Sequence, residues 1–334
     1  MRCRKSFANF MLALCSLCTA IVITGCASAK WSIDNPYESV KWSKYEQHKA
    51  NFHTHTTQSD GRLSPAAVID EYRQLDYSVL ALTDHNRVTW EWEVFDRDPE
   101  TLGMIAVQGS EPSHHHHMGA YFCEVQGSST EAETLENIRK QNGIAVMFHP
   151  GRYNWTVNDY VDLYKVWDEL IGMEIFNQGD RYPSDRQTWD KVLTVLIPEK
   201  RPVWGFSNDD MHSEFHLGQN WNVLLMPELS SEAVRTAMET GAFFFVFAPE
   251  GHKGTPPPKI NLLKVDRQKG IIRLKASDYE RIEWISNGVT VHEGELIDLS
   301  TKTDVQGYVR AVVYAKDSGA LIGTQPLRIQ RHVK

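Results

Sequence analysis

The sequence predicts an α/β fold in which a barrel-like layer of strands and helices, residues 46–254, is followed by a small antiparallel β-sandwich, residues 255–334. In the first part, short apolar runs alternate with helical segments. This pattern is typical of a parallel sheet, and the number of units favours closure into a barrel. The composition changes at the proline-rich turn 254–258. Beyond it, short alternating runs separated by turn residues indicate the sandwich.

The predicted elements follow one another along the chain with short connections. Ser64-Pro65 is a typical helix start, because a serine hydroxyl caps the first turn and proline fits there. Barrel strands are predicted at 78–82, 104–107, 144–148, 173–176 and 203–206, and barrel helices at 66–75, 131–141, 159–170 and 185–196. Sandwich strands are predicted at 260–265, 271–275, 281–285 and 308–314.

The first 25 residues are predicted to be a targeting segment and not part of the fold. A basic start precedes an apolar stretch, residues 10–23, that is too short to span a membrane comfortably. The stretch ends in Ile23-Thr24-Gly25-Cys26, which resembles a bacterial lipobox. We therefore expect a lipid anchor at Cys26, a tether over residues 26–45, and a location in the cell envelope, at the outer membrane. An ordinary secretory signal is the alternative.

Charge and cysteine content exclude two classes of protein. The formal net charge is -8, and beyond residue 25 there are 32 basic against 43 acidic residues. A body this acidic is a poor binder of nucleic acid, and we therefore expect no nucleic-acid partner. A small anionic substrate remains compatible if metal ions supply the positive charge. Of the five cysteines, only Cys123 lies beyond Cys26, which excludes an internal disulfide framework.

Histidines and carboxylates recur just past the predicted strands, and in a βα barrel those strand ends converge on one face. The candidates are His53, His55, Asp60, His85, Glu111, His149, Asp210 and His212. Imidazole and carboxylate ligands together suit zinc, manganese or iron rather than calcium. About eight ligands are too many for one ion, so two or three divalent ions are expected. His48, His216, His252 and His292 are interpreted as structural, and the run 114–117 is either a ligand source or a solvated loop.

These motifs, in order, resemble those of the PHP (polymerase and histidinol phosphatase) family. The resemblance covers about residues 50–250 and rests on five separated segments: 51–65, 82–86, 109–111, 148–150 and 207–212. It implies a distorted seven-stranded βα barrel with a trinuclear metal site. By similarity, His53, His55, Glu111 and Asp210 would hold one ion. Glu111, a histidine of the 114–117 run and His149 would hold the second, and Asp60, His85 and His212 the third.

Two details of the resemblance leave residues open. A His-x-x-Gly pattern after the glutamate selects His116, before Gly119, although spacing also permits His117. Asp209 is an extra acid beside Asp210, interpreted either as a support for the ligands or as a substrate contact. The C-terminal part resembles the sandwich on a secreted branch of the family. That branch includes hydrolases of carbamate esters.

The expected activity is therefore that of a metal-dependent phosphoesterase acting on a small phosphate mono- or diester. A hydroxide bridging the ions would attack the phosphoryl group, with Glu111, Asp210 and His212 as catalytic residues. Arg152, Arg62 and Arg181 are candidate phosphate-binding residues, Arg152 foremost because it directly follows His149-Pro150-Gly151.

Three alternatives remain at this stage. The same site would also serve hydrolysis of a carboxyl or carbamate ester. A polymerase-associated proofreading role is disfavoured by the targeting segment, the acidic body and the lack of a polymerase region. A non-catalytic surface binding protein is disfavoured by the complete ligand set, because a degenerate site would have lost several members.

Overall fold

The computed structural model describes residues 31–332 and shows a mixed α/β protein with three sheets. The strands are β1 (Trp31–Asp34), β2 (Glu46–Asn51), β3 (Tyr77–Ala81), β4 (Ile105–Val107), β5 (Gly109–Ser110), β6 (Met118–Tyr121), β7 (Ile144–Met147), β8 (Leu170–Asn177), β9 (Trp204–Asn208), β10 (Asn220–Met226), β11 (Phe243–Phe247), β12 (Lys259–Asp266), β13 (Ile271–Ser277), β14 (Arg281–Ser286), β15 (Val289–Glu293), β16 (Leu296–Asp298), β17 (Tyr308–Tyr314), β18 (Leu321–Thr324) and β19 (Leu327–Arg331). The helices are α1 (Pro65–Gln74), α2 (Pro99–Leu102), α3 (Glu131–Lys140), α4 (Val157–Val166), α5 (Asp185–Leu196) and α6 (Ser231–Thr240).

Local capping fixes where α1, α3, α4 and α6 begin. The Ser64 side chain accepts a hydrogen bond from the Ala67 amide, as predicted for the start of α1. Thr156 and Asp159 form a reciprocal capping box at α4. Because each cap sets the first turn of a helix, it also sets how much chain is left for the loop between that helix and the preceding strand.

Two of the sheets carry the strands that precede the candidate ligands. β2, β3 and β4 are parallel neighbours in an eleven-stranded sheet, and β7, β8 and β9 are parallel neighbours in a five-stranded one. Isolated parallel bridges, Thr54 with Met211 and His85 with Glu111, link the two sheets. The predicted closed barrel is not present as one ring of paired strands in residues 31–332. After Val107 the chain changes partner, from β3 to β6, and the pairing is interrupted there.

The C-terminal part is not a free-standing sandwich. β18 pairs with β11, so the eleven-stranded sheet continues across the predicted boundary at residues 254–255. Only β12, β13 and β16 form a separate three-stranded sheet in the part of the chain that the structure describes. Composition marked a turn at 254–258, but backbone pairing between distant strands joins the two halves across it.

A buried ion pair also joins the two halves. The Arg310 guanidinium on β17 donates to both carboxylate oxygens of Asp190 on α5, at 2.9 and 2.7 Å. The Tyr308 hydroxyl donates to the same carboxylate at 2.6 Å. Both Asp190 and Arg310 are only 4% exposed. A charge buried to this degree depends on its partner, so the pair holds α5 to the C-terminal strands.

Residues 31–45, predicted as part of a tether, are incorporated into the fold. β1 pairs antiparallel with β19. The Tyr37 side chain is 1% exposed, and its hydroxyl donates to the Phe243 carbonyl at 3.0 Å and accepts from the Gln325 amide at 2.7 Å. In this segment apolar Trp31 and Ile33 alternate with polar Ser32 and Asp34, a pattern that is typical of a strand. Trp31 and Ile33 are both buried in the structure. Cys26 and residues 1–25 lie outside the described residues.

Replacing Tyr37 with phenylalanine is expected to lower the free energy of unfolding by about 1–3 kcal/mol, because the buried Gln325 amide loses its acceptor. Urea denaturation measures the change. Tyr45→Phe is the matched control, since no hydrogen bond of its hydroxyl is found within residues 31–332. Equal and small losses in both variants would show that the Tyr37 hydroxyl does not stabilise the fold.

Within residues 31–332, no helix combines the length and apolar character needed to cross a membrane.

Candidate metal centre

The two histidines that follow β2 form the floor of the site. In an extended segment, residues two apart point to the same side, and both His53 and His55 are fully buried there. Between them, Thr54 points away and its hydroxyl donates to the Ala81 carbonyl. The Phe148 ring stacks on His53 with 3.6 Å between ring centroids. This packing fixes the plane of the His53 imidazole.

Glu111 lies at the centre of the histidines. It is fully buried, and its Oε2 atom lies 3.3 Å from His53 Nε2, 3.1 Å from His55 Nε2 and 3.1 Å from His85 Nδ1. Three imidazole nitrogens thus approach one carboxylate oxygen. Such convergence is typical of a carboxylate that shares cations with the histidines around it.

The second oxygen of Glu111 faces His117. The sequence pattern selected His116 and left His117 open, and it is His117 that the structure brings to Glu111. His117 Nδ1 donates to Glu111 Oε1 at 2.8 Å. The His116 Nε2 atom instead donates to the Phe148 carbonyl, and its ring stacks on Tyr153. Consecutive residues entering β6 point to opposite sides, so only one of the two histidines reaches Glu111.

Asp210, at the end of the β9 segment, approaches the same histidines from the other side. Its Oδ1 atom lies 3.1 Å from both His53 Nε2 and His55 Nε2 and 3.4 Å from His212 Nδ1. Asp210 has φ 46°, and His149, whose Nε2 lies 3.4 Å from Glu111 Oε1, has φ 27°. Positive φ is uncommon outside glycine and concentrates at functional sites.

Asp60 completes the outer side of the centre, where the side chains are partly exposed. Its Oδ1 atom lies 3.3 Å from His212 Nε2 and 3.6 Å from His55 Nδ1, and its Oδ2 atom lies 3.5 Å from His85 Nε2. The Asp60 side chain is 55% exposed. This side of the centre is therefore open to solvent.

Asp84 fixes the loop that carries Asp60. It is fully buried and accepts hydrogen bonds from the Thr56 amide, the Thr56 hydroxyl, the Ser59 hydroxyl and the Thr89 hydroxyl. The carboxylate thus holds the loop in place, while the Asp84 carbonyl oxygen accepts from the Glu111 amide at 3.2 Å and positions the backbone of that residue.

Asp209 points away from the centre. Its carboxylate accepts from the amides of residues 218–220 and from the Tyr72 hydroxyl. Burial raises its pKa to about 6. Of the two interpretations made from the sequence, a substrate contact does not fit this orientation, and the residue instead anchors the loop before β10.

Several buried atoms of the centre have no hydrogen-bond partner within the described residues: His53 Nε2, His55 Nδ1, His55 Nε2, His85 Nδ1 and Glu111 Oε2. Unpaired polar atoms this deep are costly unless something binds them. The candidate ligands fall into four overlapping groups, and in each group one ligand atom per residue lies within 4.8 Å of the others. The groups are His53–His149–Asp210, His53–His55–Glu111, His85–Glu111–His117 and His55–Asp60–His85–His212. The residues therefore fit divalent cations with nitrogen and oxygen ligands.

The electrostatics of the centre point the same way. Burial disfavours a charged His55, but the carboxylates of Glu111 and Asp210 outweigh it and raise its pKa to about 9. Burial opposes ionisation of Glu111 as well, yet His53 and His55 hold the pKa of this carboxyl well below its usual range. Without a metal, protonated histidines thus balance the charge of the two carboxylates. A metal cation bound between them would supply that positive charge instead.

The three candidate phosphate-binding arginines, Arg62, Arg152 and Arg181, are all exposed. The Arg152 amide donates to the His149 carbonyl. The pKa of His117 is lowered mainly by burial, and the positive charge of the Arg152 side chain lowers it further. Arg62 and Arg181 contribute likewise to the lowered pKa of His216, next to His212, where burial is again the main cause. The backbones of Arg152 and Arg62 are tied to candidate ligands, since the Arg62 amide likewise donates to the His212 carbonyl at 2.8 Å.

One buried residue of the site was not identified from the sequence. Glu174 lies in the middle of β8, fully buried, with its Oε1 atom 2.9 Å from His53 Nδ1. The only signal in the sequence is an acid inside an otherwise apolar strand, since acids are rarely buried without partners.

Comparisons with known proteins give the fold but no sequence relative. No protein-family model matches the chain. No curated protein matches it either. Among solved structures, a two-domain protein from Bacteroides vulgatus, described as containing a predicted PHP-like metal-dependent phosphoesterase, matches with a TM-score of 0.53 and 16% identity. The match covers 86% of this chain and 96% of that one. At this identity the similarity establishes a shared fold alone.

Two further structures match less of the chain. A candidate metal-dependent phosphoesterase from Bifidobacterium adolescentis has 16% identity and a TM-score of 0.39, covering 50% of this chain and 88% of that one. An amidohydrolase from Chromobacterium violaceum has 15% identity and a TM-score of 0.37, covering 49% and 88%. These TM-scores are too low to establish a shared fold.

Proposed function

Starting from the shared fold and the cation-binding groups, we propose that this chain is a metal-dependent phosphoesterase of PHP type. It would hydrolyse a small phosphate mono- or diester with two or three divalent ions of zinc, manganese or iron. The observation that carries the proposal is the convergence of unpaired imidazole nitrogens on Glu111 and Asp210. No hydrogen bond within the described residues accounts for those atoms, and a cation would.

The overlapping groups suggest how the ions would be held. We call His53, His149 and Asp210 the inner group, and His55, Asp60, His85 and His212 the outer group. Glu111 stands between them, with one oxygen toward His55 and His85 and the other toward His117. Because each carboxylate oxygen faces different histidines, Glu111 is suited to bridge two ions.

Divalent ions, when bound, lower the pKa of a coordinated water and neutralise charge on the phosphoryl oxygens. The side chains of the chain would supply positioning. The exposed arginines, Arg152, Arg62 and Arg181, would bind the non-reacting phosphate oxygens. A covalent thiol route is disfavoured, because burial raises the pKa of Cys123 to about 12.

Two finer features belong to the same proposal. The bridges Thr54–Met211 and His85–Glu111 support the proposal that the strands around the centre form a distorted seven-stranded barrel. A lipid anchor at Cys26, and with it a place in the cell envelope, is proposed from the lipobox-like segment alone.

The test is hydrolysis by residues 27–334 of 4-nitrophenyl phosphate, bis(4-nitrophenyl) phosphate and 4-nitrophenyl acetate, after chelation and again with Mn²⁺ or Zn²⁺ restored. We expect phosphoester turnover that disappears on chelation, returns with metal, and is lost in His55→Ala. The control is His252→Ala, which removes an exposed histidine outside the metal-binding groups. Turnover of the carboxyl ester alone would move the protein to the esterase alternative. No turnover and no bound metal would refute the enzyme proposal.

A further inference from the structure

Glu174 occupies an unusual position beneath the centre. Both of its oxygens are buried, and the partners found in the described residues include no lysine or arginine. Oε1 lies 2.9 Å from His53 Nδ1 and accepts from the Asn208 side-chain amide at 2.9 Å. The His53 imidazole is therefore held from behind, on the nitrogen opposite to the one that faces Glu111 and Asp210.

The other oxygen of Glu174 reaches the remaining members of the inner group. Oε2 accepts from the His149 amide at 2.9 Å and from the Asn177 side-chain amide at 3.1 Å. The Asn177 side chain also donates to Asp210 Oδ2 at 3.3 Å. One carboxylate is thus tied to His53 directly, to His149 through its backbone and to Asp210 through Asn177.

The outer group has no such direct connection. None of the hydrogen bonds of Glu174 reaches Asp60, His85 or His212. The outer group instead meets this network at Asp210, whose carbonyl oxygen lies 2.9 Å from His212 Nδ1 and whose Oδ1 atom lies 3.1 Å from His55 Nε2. Glu174 therefore supports the inner group directly and the outer group only through Asp210.

We propose that Glu174 is a positioning residue that sets the metal affinity of the inner group and affects that of the outer group less. This inference rests on the proposed metal centre. A carboxylate that accepts Nδ1–H of His53 fixes the imidazole tautomer and leaves the Nε2 lone pair directed into the centre. It also strengthens that nitrogen as a ligand. Loss of such a support typically weakens metal binding by about 10–100-fold.

Glutamine cannot replace Glu174 in this network. The carboxylate receives four donors, from His53, His149, Asn177 and Asn208. A glutamine has one oxygen, and its amide group would present N–H to two of those donors. Aspartate keeps the charge but is shorter by one methylene, so it would retain part of the network.

The experiment measures bound metal per chain by elemental analysis across a titration with Mn²⁺ or Zn²⁺, together with the visible absorption of the Co²⁺ form. Glu174→Gln is expected to lose one ion per chain at limiting metal and to regain it at about 10–100-fold higher metal concentration. Glu174→Asp should restore part of that affinity. In a His212→Ala background, where the outer group is already impaired, Glu174→Gln should remove a further ion.

Asp209→Asn is the matched control, because Asp209 is an equally buried carboxylate with four donors, none of them a candidate ligand side chain. It should lose stability but no ion. Asn177→Ala replaces Glu174→Gln if that variant does not fold. It removes the link between Glu174 and Asp210 and keeps the hydrogen bonds of Glu174 to His53 and His149. It should weaken the metal affinity of the inner group several-fold. Wild-type affinity in Glu174→Gln or Asn177→Ala would overturn the inference alone. A wild-type protein that binds no metal would overturn the proposed function as well.

Discussion

Glu111→Gln is expected to lower metal-dependent hydrolysis by about 10³-fold or more, on whichever ester the wild-type protein hydrolyses. The substitution removes the negative charge toward which histidine nitrogens converge at both carboxylate oxygens. Metal ions supply several kcal/mol of transition-state stabilisation, and about 4 kcal/mol corresponds to a thousandfold in rate. Bound metal should fall along with activity, because Glu111 belongs to two of the four groups.

Steady-state rates and metal content, measured on the same preparation, check this prediction. Glu199→Gln is a suitable control, since Glu199 is an exposed glutamate paired with Lys165 and belongs to none of the metal-binding groups. Its activity should stay within about twofold of wild type, as expected for a surface substitution. Activity within tenfold of wild type in Glu111→Gln, with full metal content, would contradict a bridging role.

Arg310→Met is expected to destabilise the protein by about 3–5 kcal/mol, because Asp190 is left as a buried charge without its partner. Arg310 lies on β17 and its side chain packs against α5, and it belongs to none of the metal-binding groups found in residues 31–332. The expected loss is therefore in stability, with turnover per folded molecule unchanged. Denaturant titration and calorimetry measure it.

The double variant Asp190→Asn/Arg310→Met separates burial of a charge from loss of packing. It has no buried carboxylate, and the amide oxygen that replaces the carboxylate can still accept from the Tyr308 hydroxyl. The double variant should therefore be more stable than Arg310→Met alone. Equal stability of the two variants would show that the unpaired charge of Asp190 is not what destabilises Arg310→Met.

Much of the candidate site could be predicted from the sequence because its residues stand in short contiguous segments just past strand ends. His53, His55 and His85 needed only strand periodicity and the convergence of parallel strands. His116 and His117 could not be told apart, because adjacent residues differ only in the side to which they point. Glu174 has no spacing motif, and its role depends on contacts from three other strand segments.

The fold was predictable where local pattern decides it and not where distant pairing does. The starts of α1 and α5 agree with the prediction, since the Ser64 cap of α1 and the apolar periodicity of α5 are local. The pairing of β11 with β18 left no local trace, because the register of two strands is set by the whole sheet. For the same reason, the Pro-rich turn at 254–258 suggested a domain boundary, although strands from both sides of it pair in one sheet.

The pairing of β1 with β19 also has a consequence for how the chain reaches its native state. Asp34 and Arg328, partners in that pairing, are 294 residues apart in sequence. Contacts of such separation slow folding, because the cost of closing a long loop comes before the contacts that reward it. During synthesis, β11 would emerge well before β18 and would present an unpaired edge until the last strands arrive. The chain is therefore expected to be most prone to misassociation after β11 has been synthesised and before β18 has.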